Sequence, residues 1–364
     1  MRAIMLKTQG GPENLTLEEV PEPVPGPGEL LIRTEAIGVS YTEAALRGGN
    51  YPPPVPLPAV YGFEAAGIVT AGEPSLIGRR VVSMNTALGS YAEYTTAPVD
   101  AVTVVPDGVS AAGAVATANF GAVALCLLRA ARLTGSETVL IEAAAGGVGG
   151  YLTQLAHAQG AARVIATAGT AAKRDYALSI GADEAVDHGD PGWIDSLGKA
   201  SIDAVFESLA GDTTVRLVDA LTPGSGRILL YGFLQGPPTI TVMDLLMHGL
   251  TLIGCGGMPG WLDRVAAARP EVLQLVKDGV LKPRIDSTLP LADAATAHER
   301  FDARAPIGKI ILTPLSVRSQ EGALRCCLPS SPLRFARGSS VQAAPRPPLR
   351  SRRRGSRRWR VPGR

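Results

Sequence analysis

Residues 141–160 read IEAAAGGVGGYLTQLAHAQG and set Gly146, Gly147, Gly149 and Gly150 within a few positions of one another. Glycine weakens helices and strands alike, so such a cluster answers to something that must approach the backbone. An apolar run over 138–143 precedes it and a helical pattern follows. At a strand-to-helix turn of this kind the first helical amides lack partners in the helix and favour a phosphate. The spacing Ala144-x-Gly146-x-x-Gly149 is a dinucleotide fingerprint with alanine in place of the first glycine. Gly146 would let the backbone come close to a diphosphate, and Gly149 would let the helix pack on the sheet. A glycine pattern alone also fits a tight turn that binds nothing.

The second phosphate question lies about 20 residues on, where an NAD site usually carries a carboxylate for the ribose 2′-hydroxyl. Here the segment VIATAGTAAKRD puts Ala168, Gly169 and Thr170 at that tip, without an acid. Lys173 and Arg174 follow directly. A tip lined by cations suits a 2′-phosphate and predicts NADPH, the alternative being an ordinary solvated helix start.

The elements around these residues favour the binding reading. The runs TVLIEA, RVIATA, IDAVFESL, GRILLYGF and LTLIGCG are strand-like, with helical patterns over 148–159, 171–180, 213–221 and 243–248. Continuous apolar strands separated by helices imply a parallel sheet covered on both faces, and a doubly wound sheet binds its dinucleotide at such a turn. Residues 1–110 differ. The segments ELLIRTEAIGV, AAGIVTAG, RRVVSM and SYAEYTTAP read as short strands of a mostly β unit. VPEPVPGPG and YPPPVPLP must be loops, because proline has no N–H for a ladder. The Ala- and Gly-rich segment 111–128 predicts a buried helix. Near 287 the chain leaves the parallel unit, and a helix and closing strand return to the first one.

Hydrophobic residues make up 46% of the 364, enough for real cores, and the formal charge is only +2. That balance hides an asymmetry. Residues 1–315 carry 22 basic and 32 acidic side chains, a net of −10, whereas the remainder has 13 arginines, no lysine and one acid, Glu321. Cys126, Cys255, Cys326 and Cys327 have neither disulfide nor metal spacing, so reduced thiols in a cytoplasmic protein are expected. MRAIMLKTQGG has no apolar core of a signal peptide and predicts a first strand.

An ordered series of motifs resembles the medium-chain dehydrogenase/reductases, in particular their zinc-free, zeta-crystallin-like quinone oxidoreductase branch. AAAGGVG, GTAAK, AIGVSYTEAALRGGNYP, LPAVYGFEAAGIV, GSYAEY, FESLAG, GRILLYG and IGKIIL carry it over residues 1–315. The resemblance implies an α/β protein: a GroES-like, mostly β catalytic domain (1–115 and 287–315) and a Rossmann cofactor domain (116–286). It implies a cofactor site drawn from Ser40, Val123, Ala145, Gly146, Gly147, Val148, Gly149, Gly169, Thr170, Lys173, His188, Ser208, Tyr231, Gly232 and Phe233. A homodimer joined through the cofactor domain is implied as well.

Zinc-dependent relatives have a cysteine where this chain has Ser40 and a histidine where it has Phe63, and neither is a zinc ligand. Residues 71–94 lack the cysteines of a structural zinc lobe, and His157, His188, His248 and His298 fall outside the motifs as surface or helix histidines. No metal is expected. Without a Lewis acid the acceptor must already be electrophilic, so the resemblance implies hydride transfer to a quinone or an activated C=C. Proton donors near the pocket are Tyr41, Tyr51 and Tyr61, with Ser40 and Glu43 beside them. Tyr51 leads because the branch has a tyrosine there, and water is the alternative.

The pocket departs from the branch. Ser40 stands for Asn, Glu43 for Asp, Ala45 for Tyr, Val123 for a Thr facing the nicotinamide, and His188 for a Tyr near the adenosine phosphate. A neutral His188 would stack, and a charged one would favour the phosphate. Other readings are an enoyl-thioester or tailoring reductase, or a non-catalytic NADPH-binding protein of crystallin or RNA-binding type. Residues 316–364 match nothing in the family and read as disordered. An arginine-rich tail can bind nucleic acid, but its composition also resembles GC-rich DNA read out of frame, and a functionless extension is favoured.

Overall fold

The computed structural model describes residues 1–50, 56–85 and 87–314. Tyr51 and the tail 316–364 lie outside the described residues, with the expectations placed on them. In the first part, β-branched and apolar runs make strands and prolines separate them. The strands are β1 (Arg2–Leu6), β2 (Leu15–Glu19), β3 (Glu29–Val39), β4 (Ala59–Val60), β5 (Glu64–Ala71), β6 (Arg80–Met84), β7 (Tyr94–Pro98) and β8 (Val102–Val104). A short helix, α1 (Tyr41–Arg47), follows β3, and a long one, α2 (Ala111–Ala131), follows β8.

The chain then alternates. Strands β9 (Thr138–Ile141), β10 (Arg163–Thr167), β11 (Glu184–Val186), β12 (Ala204–Glu207), β13 (Arg227–Leu230) and β14 (Thr251–Gly254) form one parallel sheet. Helices α3 (Gly147–Leu155), α4 (Ala171–Ser179), α5 (Trp193–Ser196), α6 (Asp212–Arg216) and α7 (Val242–His248) separate these strands. Helix α8 (Trp261–Lys277) comes after the last of them. The sheet order is β11-β10-β9-β12-β13-β14, so the chain reverses direction across the sheet between β9 and β12. Val139, Leu140, Ile141, Val205 and Phe206 are fully buried, as strands covered on both faces must be.

The chain closes with β15 (Ile285–Pro290), α9 (Ala294–Asp302) and β16 (Lys309–Thr313). β16 pairs antiparallel with β3, Ile311 opposite Gly38, inside the sheet β15-β16-β3-β5-β6-β8. The expected return of the chain to the first unit is this pairing.

Helix α2 ties the elements together. Ser110 caps it by accepting the Gly113 N–H, and Arg132 ends it in the left-handed conformation. It is long and apolar enough to cross a bilayer, yet 72% of its apolar stretch is buried inside the protein. At Gly121 a Cβ would lie 2.7 Å from Val272 of α8, so glycine lets these helices approach closely. The expected boundary at residue 115 falls within α2.

Some local expectations change. Helix α8 escapes the sequence reading because Pro270 sits in its middle, and proline normally breaks a helix. The pattern over 213–221 splits into α6 and a 3-10 turn, Val218–Ala220. His298 on α9 is fully buried, its Nε2 3.1 Å from the Tyr91 hydroxyl. Burial, helped by Arg47, pushes its imidazole down to about 3, so it is neutral at ordinary pH.

At the head of β16 the buried Lys309 ammonium donates to Glu64 Oε2 at 2.6 Å and lies 4.0 Å from the centre of the Phe120 ring. Removing one partner of a buried pair leaves an uncompensated charge, a loss of about 3–5 kcal/mol. Lys309→Met should lower the free energy of urea unfolding at neutral pH by that order, and K309M/E64L should recover most of it. A single-variant loss below about 1 kcal/mol would mean the pair is solvated.

Candidate active site

The glycine turn begins where β9 ends. Ala143 takes a left-handed conformation (φ 48°), and its N–H donates to Thr167 Oγ1 at the end of β10. Gly146 is extended and caps α3 without any side chain. The Gly150 N–H donates to Gly146 O, so the amides of Gly147, Val148 and Gly149 have no acceptor within the helix. Gly149 must be glycine, because a Cβ there would lie 2.4 Å from Ala143 O. At Gly147 a Cβ would meet the Phe120 ring at 2.4 Å. From the closing segment, the Gly308 N–H donates to Ala145 O. A helix start with open amides and no Cβ in the way is a cradle for a phosphate.

The tip of β10 carries the second cluster. Thr170 caps α4 by accepting the Lys173 N–H, and a Cβ on Gly169 would lie 2.9 Å from His188 Nε2. Arg174 pairs with Asp187, while the Lys173 ammonium donates to Arg304 O at 2.6 Å. Burial pushes the His188 imidazole below its usual value; Asp187 opposes this, and Lys173, Arg304 and Arg174 add to it. His188 is therefore neutral at pH 7, which favours the stacking role over the charged one.

Beyond the switch in strand order, the loops after β12 and β13 are bound to each other. A Cβ at Gly232 would come within 2.8 Å of Ser208 O. The Leu234 and Gln235 amides donate to Ser208 O and Leu209 O. Ser208 is buried and Tyr231 half-buried, while Phe233 is 42% exposed. Burial raises the Tyr231 phenol above its usual value.

In the first unit, Ser40 caps α1. Its N–H and hydroxyl donate to Glu43 Oε2 at 2.7 and 2.8 Å, and its Oγ accepts the Glu43 N–H. Glu43 is fully buried and also accepts the Phe63 N–H. Burial pushes its carboxyl up to about 7, with Lys309 pulling down and Glu64 pushing up. Tyr41 is the first, half-buried residue of α1.

Sequence comparison bears on this geometry. Residues 26–107 match the alcohol dehydrogenase GroES-like domain, and residues 147–277 match the zinc-binding dehydrogenase family. The quinone oxidoreductase of Sus scrofa is 33% identical over 86% of this chain and 97% of its own length. The chain belongs to the medium-chain dehydrogenase/reductase superfamily, in its quinone oxidoreductase branch. A 2-haloacrylate reductase from Burkholderia sp. is 31% identical, covering 86% of this chain and 98% of that protein. The solved structure of Escherichia coli quinone oxidoreductase complexed with NADPH matches with a TM-score of 0.78 at 32% identity, over 86% of this chain and 100% of that one.

Several residues differ from what the superfamily pattern suggests. Tyr61 is not available as a proton donor: it is fully buried and its hydroxyl donates to Glu43 O at 2.6 Å. Val123 is partly buried against the core of the cofactor unit, and Phe120, about one turn earlier on α2, meets the glycine turn. Phe63 offers no donor atom, and the Ser40 hydroxyl is committed to Glu43. Among the described residues no group of three or more His, Cys, Asp or Glu side chains could hold a metal ion. Thr167, Arg304 and Lys309 join the site as well; Thr167 and Lys309 lie within the segments VIATAGTAAKRD and IGKIIL, whereas Arg304 lies in none of the motifs.

The Glu43 carboxyl favours its protonated form in the fold relative to 4.5 for an ordinary glutamate. Its contribution to stability is complete below pH 4.5 and is lost as pH rises through about 7. Glu43→Gln keeps the capping acceptor but cannot ionise. Unfolding free energies should therefore fall between those pH values by about 2–3 kcal/mol more in the wild type than in E43Q. Parallel curves would mean that Glu43 is solvated.

Proposed function

We propose that this protein is an NADPH-dependent reductase that delivers hydride to a quinone or an activated carbon–carbon double bond without zinc. The observation that carries the reading is the start of α3, capped by Gly146 without a side chain and with glycines on either side of Val148, next to a β10 tip that has cations and no acid. The amides of Gly147, Val148 and Gly149 hold the diphosphate, with Gly146 and Ala145 forming the turn. Lys173, Arg174 and Arg304 receive the 2′-phosphate beside Gly169 and Thr170, and the neutral His188 packs on the adenine. Ser208, Tyr231, Gly232 and Phe233 line the remainder of the crevice, with Ser40 and Val123 on its far side. Bound NADPH supplies the hydride.

Ser40 and Phe63 offer neither thiolate nor imidazole at the superfamily's zinc positions, so no residue there recruits a Lewis acid. The acceptor must then spread its developing charge through its own conjugation, as a quinone or an activated alkene does. The named activity of the haloacrylate reductase relative supports the alkene as one such acceptor. Tyr41 and Tyr51 are the proton donors of this reading. The Ser40–Glu43 pair, at the start of the helix that Tyr41 opens, can hold a proton. A homodimer is supported by β14 standing at the edge of its sheet among the described residues and by exposed Val242, Met243, Leu246 and Met247 on the neighbouring α7. The buried free thiols Cys126 and Cys255 support a reducing, cytoplasmic location.

The test is to follow NADPH absorbance against quinones, enones, 2-haloacrylate and enoyl thioesters, with and without chelator. Turnover should persist in chelator, and KM for NADPH should lie at least about tenfold below that for NADH, a difference of about 1.4 kcal/mol. Lys173→Glu should shrink this preference by about an order of magnitude. A preference for NADH, or activity lost to chelator and restored by zinc, would overturn the assignment.

A further inference from the structure

Directly beneath the proposed diphosphate cradle lies a pair of acids that the proposed reaction does not use. Ile141 of β9 stands opposite Phe206 of β12 in parallel register. The next residues, Glu142 and Glu207, therefore sit side by side at the point where the strand order reverses. Both are fully buried. Glu142 Oε2 accepts the amides of Ser208 and Leu209, each at 3.2 Å, and Glu207 Oε1 accepts the Ala210 amide at 2.6 Å. The other oxygens, Glu142 Oε1 and Glu207 Oε2, have no partner among the described residues, and the parallel register sets the two residues next to each other.

Two adjacent carboxylates removed from water cannot both ionise. A single proton between Oε1 of one and Oε2 of the other would satisfy both orphaned atoms, and burial with the neighbouring acid holds the Glu142 carboxyl well above the usual range. The groups facing the pair offer no counter-charge. Thr167 at the end of β10 serves Ala143 and lies 3.2 Å from His188 Nδ1. Tyr231 beyond β13 is a phenol raised by burial and by both acids, and Cys255 beyond β14 is a thiol pushed up to about 11 by burial. Among the described residues no lysine or arginine hydrogen-bonds either carboxyl.

The loops leaving these strands are strained. Ala143 and Ala210 both have left-handed backbones, φ 48° and 58°, a conformation unfavourable for any residue with a Cβ. Such conformations persist where surrounding bonds hold them. Here the bonds are the carboxyl contacts with residues 208–210 and the Thr167 contact with Ala143.

We propose that Glu142 and Glu207 are positioning residues that share one proton, and that this acid pair clasps the loop bearing the glycine turn to the loop at 208–211, assembling the nucleotide cradle. Loss of the shared proton sets two carboxylates against each other beneath a diphosphate, so the loops part and nucleotide affinity falls as pH rises. The clasp is a property of the apoprotein; its consequence for binding rests on the NADPH reading above.

The test combines two measurements on the full chain across neutral to alkaline pH. The first is the Kd for NADPH from its fluorescence. The second is amide hydrogen exchange of residues 142–146 and 208–211 without nucleotide. In the wild type, Kd should rise by up to about tenfold per pH unit beyond loss of the shared proton, and the amides should lose protection over the same range. Glu142→Gln, whose amide donates to Glu207 and accepts from Ser208 and Leu209, should bind NADPH as the wild type does at neutral pH and keep its protection at alkaline pH. Glu207→Gln provides the same check from the other strand. Comparison with these variants removes the alkaline titration of Lys173, which all of them share. Protection that differs as described, with no NADPH binding at any pH, would support the clasp and reject the NADPH reading. Superimposable pH profiles of exchange in wild type, E142Q and E207Q, or a Kd profile unchanged by both substitutions, would overturn the clasp.

Discussion

A helix whose first amides have no acceptor within the helix is the constraint around which this molecule is arranged. Side-chain caps normally quiet such an end. Here Gly146 caps α3 without a side chain, and Gly149 is pressed so closely on Ala143 that no other residue fits. The open amides and the positive end of the helix dipole then form a fixed site for an anion. The parallel sheet makes this possible, because its strands all end on the same side and deliver the loops after β9, β10, β12 and β13 to one edge.

An anion site demands that nearby negative charge be controlled, and this chain buries several acids close to it. Each is controlled differently. Glu64 is paired with the Lys309 ammonium, itself lying over the Phe120 ring that touches Gly147. Glu43 is held near neutrality by burial and by the competing charges of Lys309 and Glu64. Glu142 and Glu207 face one another and serve the amides of the loop beyond β12. The crevice floor thus presents few full negative charges, while Lys173, Arg174 and Arg304 gather at the tip of β10.

The closing segment does more than finish the first sheet. β16 extends the β3 ladder, Gly308 bonds the carbonyl of Ala145 in the glycine turn, and Arg304 accepts the Lys173 ammonium through its carbonyl. A stretch that crosses from one unit to the other fixes both sides of the crevice at once. That is why residues far apart in the chain, such as Glu64 and Lys309, meet there.

The local features were readable from the chain because they depend on neighbours in sequence. The glycine turn, the strand ELLIRTEAIGV, the alternation after residue 115 and the missing acid at the β10 tip all follow from spacing and backbone chemistry. The cap of α1 is legible too, since Ser40 and Glu43 stand at the spacing of a capping box. Helix α8 was hidden by Pro270, whose missing N–H and ring are tolerated when an apolar face is buried against α2. Only the tertiary structure decided that Tyr61 is spent on Glu43, that Phe120 meets the turn, and that Glu142 lies beside Glu207. Those facts depend on which strands become neighbours and how far water is excluded, and neither desolvation nor long-range pairing is written in the spacing of residues along a chain.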